Sequence, residues 1–202
     1  GANAALSDFY TRGSAAFVGG QENAIWSPVN VFIGLSMTAE LTQGESRQQI
    51  LDLFGARDIE TLRSYTGAVW ETVYHHDGNA VCTLANSLWL EEGLSYEQEA
   101  LDNLAYYHYA SVYKGNLNSP ETWKAIGDWL DENTGGLLED ACDNIALPPD
   151  AVLALYSTLY LQGQWSDGFN KADNEEGLFH GPSGDRNVTY MNKKLAVMEY
   201  YW

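Results

Sequence analysis

The 202 residues are 45% hydrophobic, enough apolar side chains for a real core, which excludes global disorder. A formal net charge of −18 argues against nucleic acid and against anionic membrane surfaces as partners. No run reaches the roughly 18 consecutive apolar residues of a membrane span.

The acidic residues are spread along the chain rather than gathered in a tail, as on a solvated surface. That composition suits a secreted or extracellular protein, and an acidic cytosolic protein would look the same. The chain length allows one large domain or two small ones. Gly1-Ala2 reads as a processed or engineered end, with no signal peptide. Cys82 and Cys142 are too few and too far apart for a disulfide framework, so free thiols are expected. Asn187-Val188-Thr189 fits a short glycosylation pattern that arises often by chance.

In chain order, Leu6, Phe9, Tyr10, Gly13 and Phe17 recur at helical spacing, and Gly19-Gly20 ends that helix. Asn23 to Trp26 is a short strand-like run. Ser27-Pro28 starts a second helix, with Ser as N-cap and Pro where a missing N–H is harmless. Val31, Phe32, Leu35, Met37 and Ala39 give it apolar residues on most sides, which predicts a buried helix with Asn30 in its first turn. Ser46 and Gln49 form the capping-box pattern of a third helix closed by Gly55. A fourth runs from about Ile59 to Tyr74. His75-His76-Asp77-Gly78 is a polar turn in which no third metal ligand is near, so no metal site is expected.

Val81 to Leu90 is a long strand, apolar on both faces. Ser95 and Gln98 predict another capped helix towards Tyr109, and Tyr109 to Leu117 is strand-like. Ser119-Pro120 repeats the Ser-then-Pro helix start, and Gly135-Gly136 ends that helix. Asp140 to Asp150 is an acidic loop. Ala151 to Gly163 is an almost unbroken apolar run, predicted as a central strand buried on both faces. Its polar pair Ser157-Thr158 needs partners, because an unpaired buried hydroxyl costs about 1–3 kcal/mol. Beyond it, Phe169, Phe179, Val188, Met191 and Met198 to Trp202 read as short strands, with turns at Gly177, Gly181 and Gly184.

Several pieces together carry a resemblance. Asn23-x-x-x-Ser27-Pro28, Gly44-x-Ser46-x-x-Gln49-Ile50 and Ala85-Asn86-Ser87-Leu88-Trp89 with Gly93 occur in order. Ile126-x-x-Trp129-Leu130 with Thr134-x-Gly136, then Gly163-x-Trp165-x-x-x-Phe169 and Phe179, follow at matching distances. Each pattern is weak alone, but together they resemble the serpin family across nearly the whole chain. Where the family usually has Ser and Asn, this chain has Asn30 and Ser157, the two residue types exchanged. Leu41, Gly127 and Gly168 also depart from the family pattern.

The resemblance implies an α+β fold, N-terminal helices packed on a large mixed β-sheet. It implies that residues 1–202 are the N-terminal portion of a single serpin domain, without the C-terminal half and its reactive-centre loop. It implies part of a suicide-substrate inhibitor of serine or cysteine proteases, not an enzyme, with no cofactor. The cut loop of such an inhibitor inserts into the main sheet beside the strand Ala151 to Gly163. The residues it assigns to the moving parts are Asn23, Ser27, Pro28, Asn30 and Ser157 in the shutter, with Trp165 and Phe169 at the breach. The implied partners are a target protease and, at the open sheet edge, the C-terminal half or another copy. A non-inhibitory carrier or chaperone serpin is the alternative. An acidic, aromatic-rich carbohydrate-binding or glycosidase domain is a distant one, because Trp89 and Trp129 sit in core-like patterns.

Overall fold

The computed structural model describes residues 2–20, 24–78, 80–139, 145–165 and 167–193. They belong to two compact units, Gly1–Gln162 and Gly163–Trp202, and the fold is α+β.

The first unit begins with four helices, α1 (Ala2–Phe17), α2 (Pro28–Leu41), α3 (Gly44–Leu53) and α4 (Ile59–Val73). A short hairpin joins β1 (His75–His76) to β2 (Ala80–Glu91). Then come α5 (Gln98–His108), β3 (Ala110–Gly115), α6 (Pro120–Glu132) and β4 (Leu153–Gly163).

The sheet is mixed, as expected. β3 runs parallel to β2 with Asn86 opposite Ala110 and Glu91 opposite Gly115, and β1 is antiparallel to β2. β4 also pairs with β2. The Glu91 N–H donates to the Val152 carbonyl at 3.0 Å, and Thr158 Oγ1 reaches the Ala85 carbonyl at 3.5 Å, so β4 runs antiparallel. Both β3 and β4 use the second half of β2, which therefore lies between them.

Alternation along β2 divides the core. Leu84, Leu88 and Leu90 join the cluster built by α1 to α5, where Phe54 meets Phe9 and Phe32 edge-on at centroid distances of 5.0 and 4.9 Å. Trp89 points to the other face, against Leu117 and the Ile126 and Trp129 of α6. Helices on both faces explain why β2 is apolar at nearly every position. Each fully buried Phe or Leu contributes about 1.5–3 kcal/mol to this core.

β4 departs from its expected burial. Leu155 reaches the first cluster, and Ala154 and Tyr156 reach the second. Past Thr158 neither cluster extends, and Leu159 and Leu161 are 38% and 70% exposed. The apolar run is therefore not buried on both faces: Thr158 is the one buried residue of β4, Ala154 to Ser157 are half-buried, and Leu153 at its start is exposed.

Several local expectations change. Ala24 to Trp26 form no strand. The third helix begins at Gly44 with Gln43 at the N-cap, and the fifth begins after Glu97, so neither capping box forms. The Ser119 start is as read: its hydroxyl accepts from the Thr122 N–H at 3.2 Å.

The second unit contains an antiparallel hairpin, β5 (Glu175–Gly181) and β6 (Gly184–Tyr190), preceded by a 3-10 turn at Lys171–Asp173. Gly177 lies within β5 rather than at a turn, and Phe169 and Met191 lie outside the strands. Cys142 and the expected strand Met198 to Trp202 lie outside the described residues.

Candidate functional site

The site grows from the start of α2. Ser27 occupies the N-cap position in extended backbone, yet its hydroxyl caps no backbone N–H. It donates instead to Asn30 Oδ1, one turn on. The amide of Asn30 then donates to Ser157 Oγ at 2.9 Å, in the middle of β4. The next residue, Thr158, points to the opposite face of the sheet and reaches Ala85. The polar pair in β4 is thus partnered on both faces, which removes the cost of burying it bare.

Of the residues singled out in the sequence, Ser27, Asn30 and Ser157 come together, with Pro28 as the first residue of α2. All three are half-buried rather than fully buried. Asn23 lies outside the described residues. Trp165 and Phe169 belong to the second unit, where their rings meet edge-to-face at 5.4 Å and Trp165 stays 70% exposed. The cluster in α2 and β4 holds hydroxyls and an amide only. It can latch a helix to a strand; it offers no base to activate a nucleophile.

Beside the latch, a groove of about 450 Å³ is lined by Leu130, Thr134, Leu137, Leu138 and the β4 residues 157 to 161. Among the described residues, β2 is the strand that pairs with β4, so the far edge of β4 presents free backbone donors and acceptors. Gly135 shapes the approach: its φ is +64°, and a Cβ there would sit 2.8 Å from the Tyr160 ring. A residue with a side chain fits neither condition.

At the other end of α2 lies a group that the sequence reading missed. The Glu40 side chain is 1% exposed and receives Arg63 of α4 in a fork, Nε to Oε1 and Nη2 to Oε2, both at 2.8 Å. Nε2 of His108 lies 3.6 Å from Oε1. Burial alone would raise the Glu40 pKa, but the two hydrogen bonds from Arg63, with the His108 ring close by, outweigh it and hold the carboxyl at about 2. The signal was present: Glu40 is the one charged residue in an otherwise uncharged helix. Such a residue on a buried helix needs a partner.

Residues 6–201 match the family model described as Serpin (serine protease inhibitor). The chain belongs to the serpin family. It is similar to an uncharacterized serpin-like protein of Methanosarcina mazei, 23% identical over 98% of this chain and 50% of that protein. Serpin-ZX of Arabidopsis thaliana is also 23% identical, over 85% of this chain and 46% of the relative. Among solved structures, the thermophilic serpin tengpin in its latent state superposes with a TM-score of 0.81 at 25% identity, covering 93% of this chain and 51% of tengpin. The native stressed conformation of Arabidopsis AtSerpin1 shares the fold at a TM-score of 0.79 and 22% identity, covering 95% of this chain and 50% of that one. The chain spans about half the length of the curated relatives it matches.

Proposed function

We propose that this chain is the framework of a suicide-substrate inhibitor of serine or cysteine proteases. The observation that carries the reading is the latch: Asn30 tethers α2 to β4, a strand whose far edge has no partner among the described residues. In this reading a protease attacks a reactive-centre loop of the whole protein and forms an acyl-enzyme. The cut loop then adds to the sheet beside β4, a mode of strand addition for which serpins are an established example.

Physical terms favour such an insertion. Each new ladder hydrogen bond contributes about 0.5–1.5 kcal/mol net. Any apolar surface of Leu159 and Leu161, now 38% and 70% exposed, that the new strand removes from water would contribute about 25 cal/mol per Å². Opposing both is the Ser27–Asn30–Ser157 latch, which must yield if α2 and β4 shift. In this reading Trp165 and Phe169 belong to the breach, where insertion would start. Before cleavage, the far edge of β4 takes a strand from the remaining half of a protein of the relatives' length, or from another copy.

The test is to incubate the whole protein with trypsin-, chymotrypsin-, subtilisin- and papain-like proteases and to run denaturing gels. A covalent complex that survives denaturation, at the summed mass of protease and cleaved inhibitor, is expected with at least one of them. Loop cleavage without a complex in every case would overturn inhibition and leave the non-inhibitory reading.

A further inference from the structure

A second concave site lies away from the latch, between α4 and α5. Its notch of about 360 Å³ is lined by Arg63, Gly67, Ala105, Tyr106, Tyr107 and Tyr109. Two of the lining residues, Gly67 and Ala105, are small, and a Cβ added at Gly67 would meet open space. The walls are tyrosines. Tyr106 and Tyr107 pack ring edge to ring face at 4.8 Å, while Tyr109 lies against Trp70 at 4.5 Å.

Tyr109 is the unusual member. It caps α5 in the left-handed conformation, φ 50° and ψ 33°, among the described residues the one position beyond glycine with positive φ. A glycine would be the ordinary residue there. The chain instead holds a large ring in a disfavoured backbone, 58% exposed at the rim of the notch. Strained residues of this kind gather at binding sites. The hydroxyls of Tyr106, Tyr107 and Tyr109 make no hydrogen bond to any described residue.

The chemistry of the walls restricts the ligand. Arg63 is the charge in the notch, with its carbon 4.2 Å from the centre of the Tyr107 ring. Its Nε and Nη2 are spent on Glu40, and Nη1 lies 3.7 Å from Glu60. An anion would find Nε and Nη2 engaged with Glu40, the Glu60 carboxylate close to Nη1, and a chain of net charge −18 around it. A cation would meet the guanidinium. A pure hydrocarbon would leave the phenol hydroxyls dry. What remains is a neutral ligand with an apolar face and several hydroxyls. We propose that this notch binds a neutral pyranose ring, as in an uncharged oligosaccharide, with Tyr106 and Tyr109 as walls and the tyrosine hydroxyls as hydrogen-bonding groups.

The probes are maltotriose, cellotriose and triacetylchitotriose at millimolar concentration, followed by saturation-transfer NMR on the purified protein. Transfer to the ring protons of at least one is expected. Gly67→Leu, which fills the notch from an open position, should cut that transfer at least fivefold. Tyr109→Gly should do the same while the thermal midpoint holds, since glycine relaxes the left-handed backbone. The proposal is overturned by no transfer from any of the three sugars, or by transfer unchanged in both variants. Tighter binding of a sulfated trisaccharide than of its neutral parent would also overturn it.

Discussion

Asn30 and Ser157 stand 127 residues apart in sequence, and the amide of one donates to the hydroxyl of the other at 2.9 Å. The bond joins the first turn of α2 to the midpoint of β4. Because Asn30 also accepts from Ser27, its side chain uses donor and acceptor together, an arrangement a serine cannot reproduce at the same reach.

Asn30→Ser should therefore destabilise the protein by about 1–3 kcal/mol, since Ser157 loses its donor in a half-buried place. The reciprocal pair, Asn30→Ser with Ser157→Asn, should recover part of the loss, because the longer amide then reaches from the strand. Urea unfolding of both singles and the double closes the cycle. Losses that simply add would show that the two side chains are not coupled.

The buried Glu40 sets a pH dependence. Its folded pKa of about 2 lies below the ordinary 4.5, so its stabilising effect is complete above about pH 4.5 and disappears as pH falls towards 2. The contribution at neutral pH is on the order of 2 to 3 kcal/mol. Other carboxylates titrate in the same range, so the readout is a difference. Wild type should exceed Glu40→Gln in stability at pH 7, and the gap should shrink at pH 3. A gap of equal size at both pH values would mean that charge on Glu40 is not what holds Arg63.

Gly135 gives a third test. Gly135→Ala places a side chain at φ +64° and drives a Cβ to 2.8 Å from the Tyr160 ring. The conformation alone costs about 1–2 kcal/mol, and the clash adds to it. Gly135→Ala with Tyr160→Ala should be less destabilised than the two single losses added together. If Gly135→Ala is neutral by thermal unfolding, the close approach of the α6 exit to β4 is wrong.

The elements that were legible in the sequence are those whose pattern is local. β2 was read within a residue at each end because Val81 to Leu90 is apolar on both faces and both faces are covered. The meeting of Asn30 with Ser157 was legible only through the resemblance, since nothing local in either segment names the other. The same apolarity misled at β4, where burial depends on whether something covers Leu159 and Leu161, which composition does not show. The capping boxes at Ser46 and Ser95 failed because tertiary packing chose other starts for α3 and α5. Glu40 went unread because a periodicity argument counts apolar positions, and the partner that makes a buried carboxylate tolerable sits on another helix.

The edge of β4 yields the last prediction. Leu153 to Gly163 contains no charged residue, and charge is a common device that keeps an exposed strand from pairing with another chain. Leu161, 70% exposed, adds apolar surface at the same place. Strand pairing there would satisfy backbone groups and cover leucine together, so both terms favour association. The 202-residue chain, at tens of micromolar, should scatter light as a species larger than its 22.4 kDa. Leu161→Lys should shift that population towards the monomer, because a lysine at a paired edge must lose water or strand against apolar neighbours. Leu137→Lys, in the groove wall rather than on the strand, separates groove from edge: it should leave association largely intact if backbone pairing drives it. A monodisperse 22.4 kDa particle that unfolds cooperatively would mean the edge is already protected within the chain, and β4 would then have no free side to receive a strand.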